Sequence, residues 1–210
     1  MQDYGPLGRK YPVEPGQVWR AGRHIFMCGS MFDLEPPRPP NLVYSDPPWH
    51  QAQWKTFHTH AGLPEPDRPW TDLYLRSLAL AAGAPCFMEG SHDKHEEVAA
   101  LCEDRGEVYA AWPIRSTFKR GCVLHYCGPA LPVAFPDLAG ITDDKTPRLI
   151  MEALGRGLVL DPCCGLGFTS RAAEVTGWAS ENFELHPRRM SRAMANLKRY
   201  RPVRLEGVPA

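Results

Sequence analysis

The sequence predicts an α/β fold in which a mainly parallel sheet is covered by helices. Three observations carry that expectation. Short apolar runs bounded by Gly and Pro alternate with amphipathic stretches over most of the chain. Two of those runs stop abruptly at an acidic residue followed by proline, Asp46-Pro47 and Asp161-Pro162. The chain has 210 residues, 43% of them hydrophobic, which suits one domain with a full core and not two.

The first fifteen residues, rich in Gly, Pro and Tyr, read as an irregular arm. Val18 to Cys28 reads as a hairpin turning at Ala21-Gly22-Arg23. A Pro-rich loop from Glu35 to Pro40 leads into a buried strand, Asn41 to Ser45, which the prolines of Asp46-Pro-Pro-Trp49 terminate. Residues 50–69 lack periodicity and read as a long loop. Helix over 70–82, strand over 85–89, helix over 93–102 and strand over 107–112 follow. Cys122 to Tyr126 and Leu131 to Phe135 read as a further pair of strands. Pro147 opens a helix that Gly155 closes. Leu158 to Leu160 is a strand that delivers Asp161 into a glycine turn, followed by a helix over 168–175. A strand over 178–183 and a helix over 187–200 complete the domain, and residues 201–210 are expected to fray.

Charge is balanced, 24 basic against 24 acidic residues, so any polyanion must be met by local patches. Basic residues gather in two places: Arg115, Lys119 and Arg120, and the stretch from Arg188 to Arg204. No apolar run is long enough to cross a bilayer, and residues 1–10 lack the apolar stretch of a signal peptide, so the expected location is the cytoplasm. There all seven cysteines are expected as free thiols. Cys122, Cys127, His92 and His95 do not form a zinc-ligand pattern, and no metal is expected.

Two motifs bear on chemistry. In Asp161-Pro-Cys-Cys-Gly-Leu-Gly167 the glycine turn lets the backbone approach a ligand and opens a helix with free amides. Glu184, at the end of the next strand, is placed to accept hydrogen bonds from ribose hydroxyls. The missing third glycine and the Asp-Pro start favour a nucleoside without phosphates. In Asp46-Pro47-Pro48-Trp49 the carboxylate and the Pro47 carbonyl suit an exocyclic amino group, whose lone pair is delocalised until acceptors take its hydrogens. Trp49 offers a face on which a flipped base could stack.

Together these residues resemble the permuted, β-class amino-methyltransferases of DNA, in which the catalytic motif precedes the cofactor motif. Val18 to Gly29 is similar to that family's leading segment, Lys145-Thr-Pro147 to its lysine-proline motif beside the cofactor, and Glu184-Leu-His-Pro-Arg-Arg189 to its ribose-binding segment. The resemblance implies a Rossmann-like sheet of about seven strands, one of them antiparallel. It implies S-adenosylmethionine as cofactor and DNA as partner, with a homodimer or a specificity partner also in keeping. Asp at the first motif position resembles adenine-N6 enzymes; cytosine-N4 enzymes usually carry Ser there. Asp46, Pro47, Pro48 and Trp49 are then catalytic. Asp161, Pro162, Cys163, Gly165, Gly167, Glu184, Lys145 and Ser30 are cofactor residues, although the family commonly has an acidic residue where Ser30 stands. Lacking a recognition domain, the chain would meet its substrate through the 50–69 loop (His50, Gln51, Trp54, Lys55) and through Arg115, Lys119 and Arg120. RNA adenosine, DNA cytosine, a protein glutamine, a non-catalytic binding subunit and a dehydrogenase are the competing readings.

Overall fold

The computed structural model describes residues 6–33, 35–116 and 121–206. The hairpin is present as β1 (Val18–Ala21) and β2 (His24–Cys28), turned by Gly22 at φ 62. Strands β3 (Leu42–Ser45), β4 (Cys86–Ser91), β5 (Val108–Ile114), β6 (Cys122–Gly128), β7 (Leu158–Asp161), β8 (Ala179–Glu184) and β9 (Val203–Leu205) complete a nine-stranded sheet. Its order is β5-β6-β4-β3-β7-β8-β2-β1-β9. The central five strands, β4 to β2 in that order, are mutually parallel. From β5 to β2 the sheet has the expected seven strands with β6 alone reversed; β1 and β9 extend it by two.

The parallel strands are buried on both faces, so their side chains divide between two cores. Val43, Cys86, Met88, Leu160 and Phe183 pack under α2 (Asp72–Ala81) and α3 (His95–Asp104). Leu42, Tyr44, Phe87 and Val159 face α4 (Thr146–Leu154) and α5 (Phe168–Thr176). α6 (Pro187–Asn196) lies over Trp19, Phe26 and Cys28, with the Pro6–Arg9 turn held against it where Ser191 Oγ donates to the Leu7 carbonyl.

Four expectations need correction. Residues 51–61 are not loop but helix, α1 (Gln51–Ala61). His50 caps it by accepting the Gln53 amide, Gly62 closes it at φ 74, and Trp54 anchors it in the core. Leu131 to Phe135 forms no strand, because Pro129 and Pro132 break the ladder and Phe135 instead stacks on Phe87. The tail is not frayed over 203–205, where β9 pairs with β1. Cys102 on α3 and Cys127 on β6 form a disulfide, with Cα atoms 5.6 Å apart. The remaining five cysteines are free. Thiol titration of the denatured, unreduced protein should therefore count five thiols, rising to seven after reduction; seven before reduction would show the bond to be absent.

Candidate functional site

Parallel strands present their carboxyl ends on one edge, and a ligand crevice opens where successive connections leave on opposite faces of the sheet. Here β3 leads toward α2 on one face, while its neighbour β7 leads to α5 on the other. The four adjacent strands β3, β7, β8 and β2 deliver Asp46, Asp161, Glu184 and the Gly29-Ser30 turn to that edge. The fold thus brings together motifs as far apart in sequence as Ser30 and Glu184.

Two connected clefts occupy the edge, of about 500 Å³ and about 1100 Å³. They share Asp46, Phe57, Cys163 and Arg189. The smaller is walled by Gly29, Ser30, Met31, Pro48, Pro162 and Glu184. The larger is walled by Tyr44, Pro47, Glu89, Asp143, Asp161, Gly165 and Thr169.

Glu184 is buried and works within its own chain. Its Oε2 accepts the Gly165 amide at 2.8 Å and its Oε1 the His186 amide at 2.8 Å. Burial pushes its pKa up, against the pull of Arg189 and of backbone amides. The carboxylate therefore fixes the glycine turn while it faces the cleft. A Cβ on Gly165 (φ 53) would come within 2.7 Å of the Arg189 guanidinium. Gly167 has a different duty. It lines neither cleft, and a Cβ there would meet Ala193 at 3.0 Å, so it sets the approach of α5 to α6. Ser30 Oγ accepts the Phe32 amide at 3.2 Å, shaping its own turn. Burial pushes the Cys163 and Cys164 thiols well up, so neither is a nucleophile at neutral pH.

Asp161 is buried, and desolvation raises its carboxyl to about 7, with the Asp46 and Glu184 charges adding to the rise. An acid whose folded pKa exceeds its unfolded value binds more protons folded than unfolded, so its contribution to stability falls as pH climbs from about 4 to about 7. Asp161→Asn should therefore gain on the unaltered protein over that interval in urea unfolding followed at several pH values. A constant difference between the two would mean that Asp161 ionises normally.

At the other motif, Asp46 is exposed at the cleft wall and its Oδ1 accepts Trp49 Nε1–H at 3.1 Å. Gln53 Oε1 accepts the Trp49 amide at 2.8 Å, tying the turn to α1. Trp49 itself is only 6% exposed, belongs to the core with Leu42 and Tyr44, and lines neither cleft. The expectation of a stacking face on Trp49 is therefore corrected: it orients Asp46. The aromatic ring facing both clefts is Phe57, with the Arg189 guanidinium 4.8 Å from its centroid.

The remaining predicted substrate residues divide. Trp54 is 4% exposed and contributes one wall of the smaller cleft. His50 caps α1, Gln51 Oε1 accepts the Trp70 amide, and Lys55 pairs with Glu65. None of these three lines a cleft. Arg115 is exposed and bridges to Thr142. Lys119 and Arg120 lie outside the described residues. Lys145, expected beside the cofactor, lines neither cleft and borders a separate groove with Arg148 and Arg171. Sequence reasoning missed Tyr44, Phe57, Glu89 and Asp143, and it named Arg189 only within the segment that begins at Glu184. Glu89 had a signal, a carboxylate inside an apolar strand; its Oε1 accepts the Tyr44 hydroxyl at 2.7 Å.

No family profile matches the sequence, and no curated protein is similar to it in sequence. Solved structures are similar in fold. TTHA0409 of Thermus thermophilus, provisionally assigned as a DNA modification methylase, is 15% identical with a TM-score of 0.59, over 88% of this chain and 97% of that one. It has also been solved with S-adenosylmethionine. M1.HpyAVI, likewise solved with S-adenosylmethionine, is 14% identical with a TM-score of 0.55, over 82% and 97%. The cytosine-N4-specific PvuII DNA methyltransferase is 13% identical with a TM-score of 0.63, over 87% and 89%. The chain thus has the Rossmann-like fold that these structures share.

Proposed function

We propose that the protein transfers a methyl group from S-adenosylmethionine to the exocyclic N6 amino group of adenine in DNA. The observation that carries this reading is the meeting of Asp46-Pro47 with Asp161, Gly165 and Glu184 around one continuous pair of clefts. The residues fit the cofactor on charge. Five carboxylates (Asp46, Glu89, Asp143, Asp161, Glu184) line the clefts, and among the described residues Arg189 is the only Lys or Arg to do so. Such a lining favours a ligand bearing an ammonium and a sulfonium and disfavours a pyrophosphate, which argues against a dehydrogenase. When bound, S-adenosylmethionine supplies an electrophilic methyl with a thioether as leaving group.

The chain's own residues supply the rest. Asp46 accepts an amino hydrogen, so that the nitrogen lone pair is less drawn into the ring, and its carboxylate is the first acceptor for the proton the amine must lose. Trp49 Nε1 fixes the rotamer of that carboxylate. Phe57 offers the flat face for the extruded base. Adenine is favoured over cytosine by the Asp at position 46, given the resemblance noted above. The test is incubation with methyl-labelled S-adenosylmethionine and duplex DNA, single-stranded DNA or RNA, followed by nucleoside mass spectrometry. Labelled N6-methyladenine from DNA is expected. Labelled N4-methylcytosine would transfer the reading to cytosine, and label in RNA alone would transfer it to RNA. No label in any base would defeat it.

A further inference from the structure

The acidic clefts pose a problem for a DNA substrate, because carboxylates repel the phosphates on either side of an extruded base. Phosphate must be met elsewhere, on a protein whose formal charge is zero. A second groove, of about 840 Å³, runs between α4, α5 and the end of α6. Lys145, Arg148, Arg171, Lys198 and Arg199 line it against only Asp144 and Glu174. Glu174 is already engaged by His24, Arg23, Arg199 and Tyr200. Arg148 pairs with Glu152. Lys145, Arg171 and Lys198 are exposed and have no acidic partner among the described residues.

The groove adjoins the clefts at two points. Phe168 lines both it and the larger cleft, and Asp143 faces that cleft while the next two residues face the groove. The junction is braced where Asn196 Nδ2 donates to the Leu166 carbonyl, joining the end of α6 to the turn before α5. From this juxtaposition we propose that the groove binds the phosphodiester backbone of duplex DNA and leads the strand to the catalytic cleft. The assignment rests on the DNA-methyltransferase reading for its partner. It gives Lys145 a role at phosphate in place of the cofactor role its motif suggests.

The test is fluorescence anisotropy with a labelled DNA duplex over a range of salt, with the full chain and the variant Lys145→Ala/Arg171→Ala/Lys198→Ala. Loss of three phosphate contacts should lower the slope of log affinity against log salt by about three and weaken binding at least about tenfold near physiological salt. The replacements Lys145→Arg, Arg171→Lys and Lys198→Arg should preserve both slope and affinity, which separates lost charge from lost folding. Unchanged slope and affinity in the alanine variant would overturn the proposal. So would failure of the unaltered chain to bind duplex, or binding to anionic phospholipid vesicles that falls in the variant while duplex binding does not. A Lys145→Ala change that weakens S-adenosylmethionine binding and leaves the duplex slope intact would return that residue to the cofactor. The proposed chemistry fails separately: a chain that binds duplex through the groove and methylates no base keeps the groove and loses the reaction.

Discussion

Asp46→Ala is expected to lower methyl transfer to DNA by about 10²–10⁴-fold, the range associated with removal of a positioned proton acceptor. The effect should fall on kcat. The melting temperature should fall by a few degrees, because the Nε1–H of Trp49, only 6% exposed, loses this acceptor, so rates are compared where both proteins are folded. The variant removes the acceptor proposed for the amino group and takes from Trp49 Nε1–H the carboxylate it now meets at 3.1 Å. Asp46→Asn is the informative companion. Its amide oxygen can still accept one hydrogen bond, but it carries no charge to hold a proton, so its rate should lie between alanine and the unaltered protein. Single-turnover kinetics at saturating S-adenosylmethionine would check both. An Asp46→Ala protein within a few-fold of full rate would remove this residue from the chemistry and leave the Pro47 carbonyl as the sole acceptor in the motif.

Glu184→Ala should weaken S-adenosylmethionine binding by about ten- to a hundredfold, measured by calorimetry. Its two backbone partners would lose hydrogen bonds to a charged acceptor, each worth about 1.5–3 kcal/mol. One of them is the amide of Gly165, so the glycine turn loosens as the ligand contact is lost. Glu184→Gln keeps the volume and one good acceptor oxygen and should lose less. Equal affinity in all three proteins would mean that the cofactor does not touch this edge of β8.

The sequence showed the strands that end in chemistry because their stops are local. A strand halted by Asp46-Pro47 or by Asp161-Pro162 announces itself within a few residues, and the fold placed both on one edge as parallel neighbours of a sheet must be. What escaped is tertiary. Nothing in Asp46-Pro-Pro-Trp49 reveals that the indole turns into the core and not toward a ligand. Helix α1 was missed although Trp54, Phe57 and Ala61 share one face and Gly62 closes it, since its other positions except Ala52 are polar and its N-cap is a histidine. Lys145 sits at the start of its helix as the motif suggests, yet a neighbouring groove claims its side chain. The Cys102–Cys127 bridge joins residues 25 apart with no spacing signature.

The hairpin β1–β2 has a consequence for how the molecule comes to be assembled. It precedes the other described strands in sequence, but its inner strand docks beside β8, so that His24 meets Ser180 across 156 residues of chain. On its other side β1 waits for Val203–Leu205. Until then both long edges of the hairpin are bare, with Phe26, Met27 and Cys28 uncovered, the condition in which strands pair with the wrong neighbour. Closing so long a loop carries an entropic cost, so this docking is expected to be among the slower steps of folding. The two ends of the described chain come to share one border of the sheet, and strands that precede the rest in sequence depend for their pairing on strands that come last.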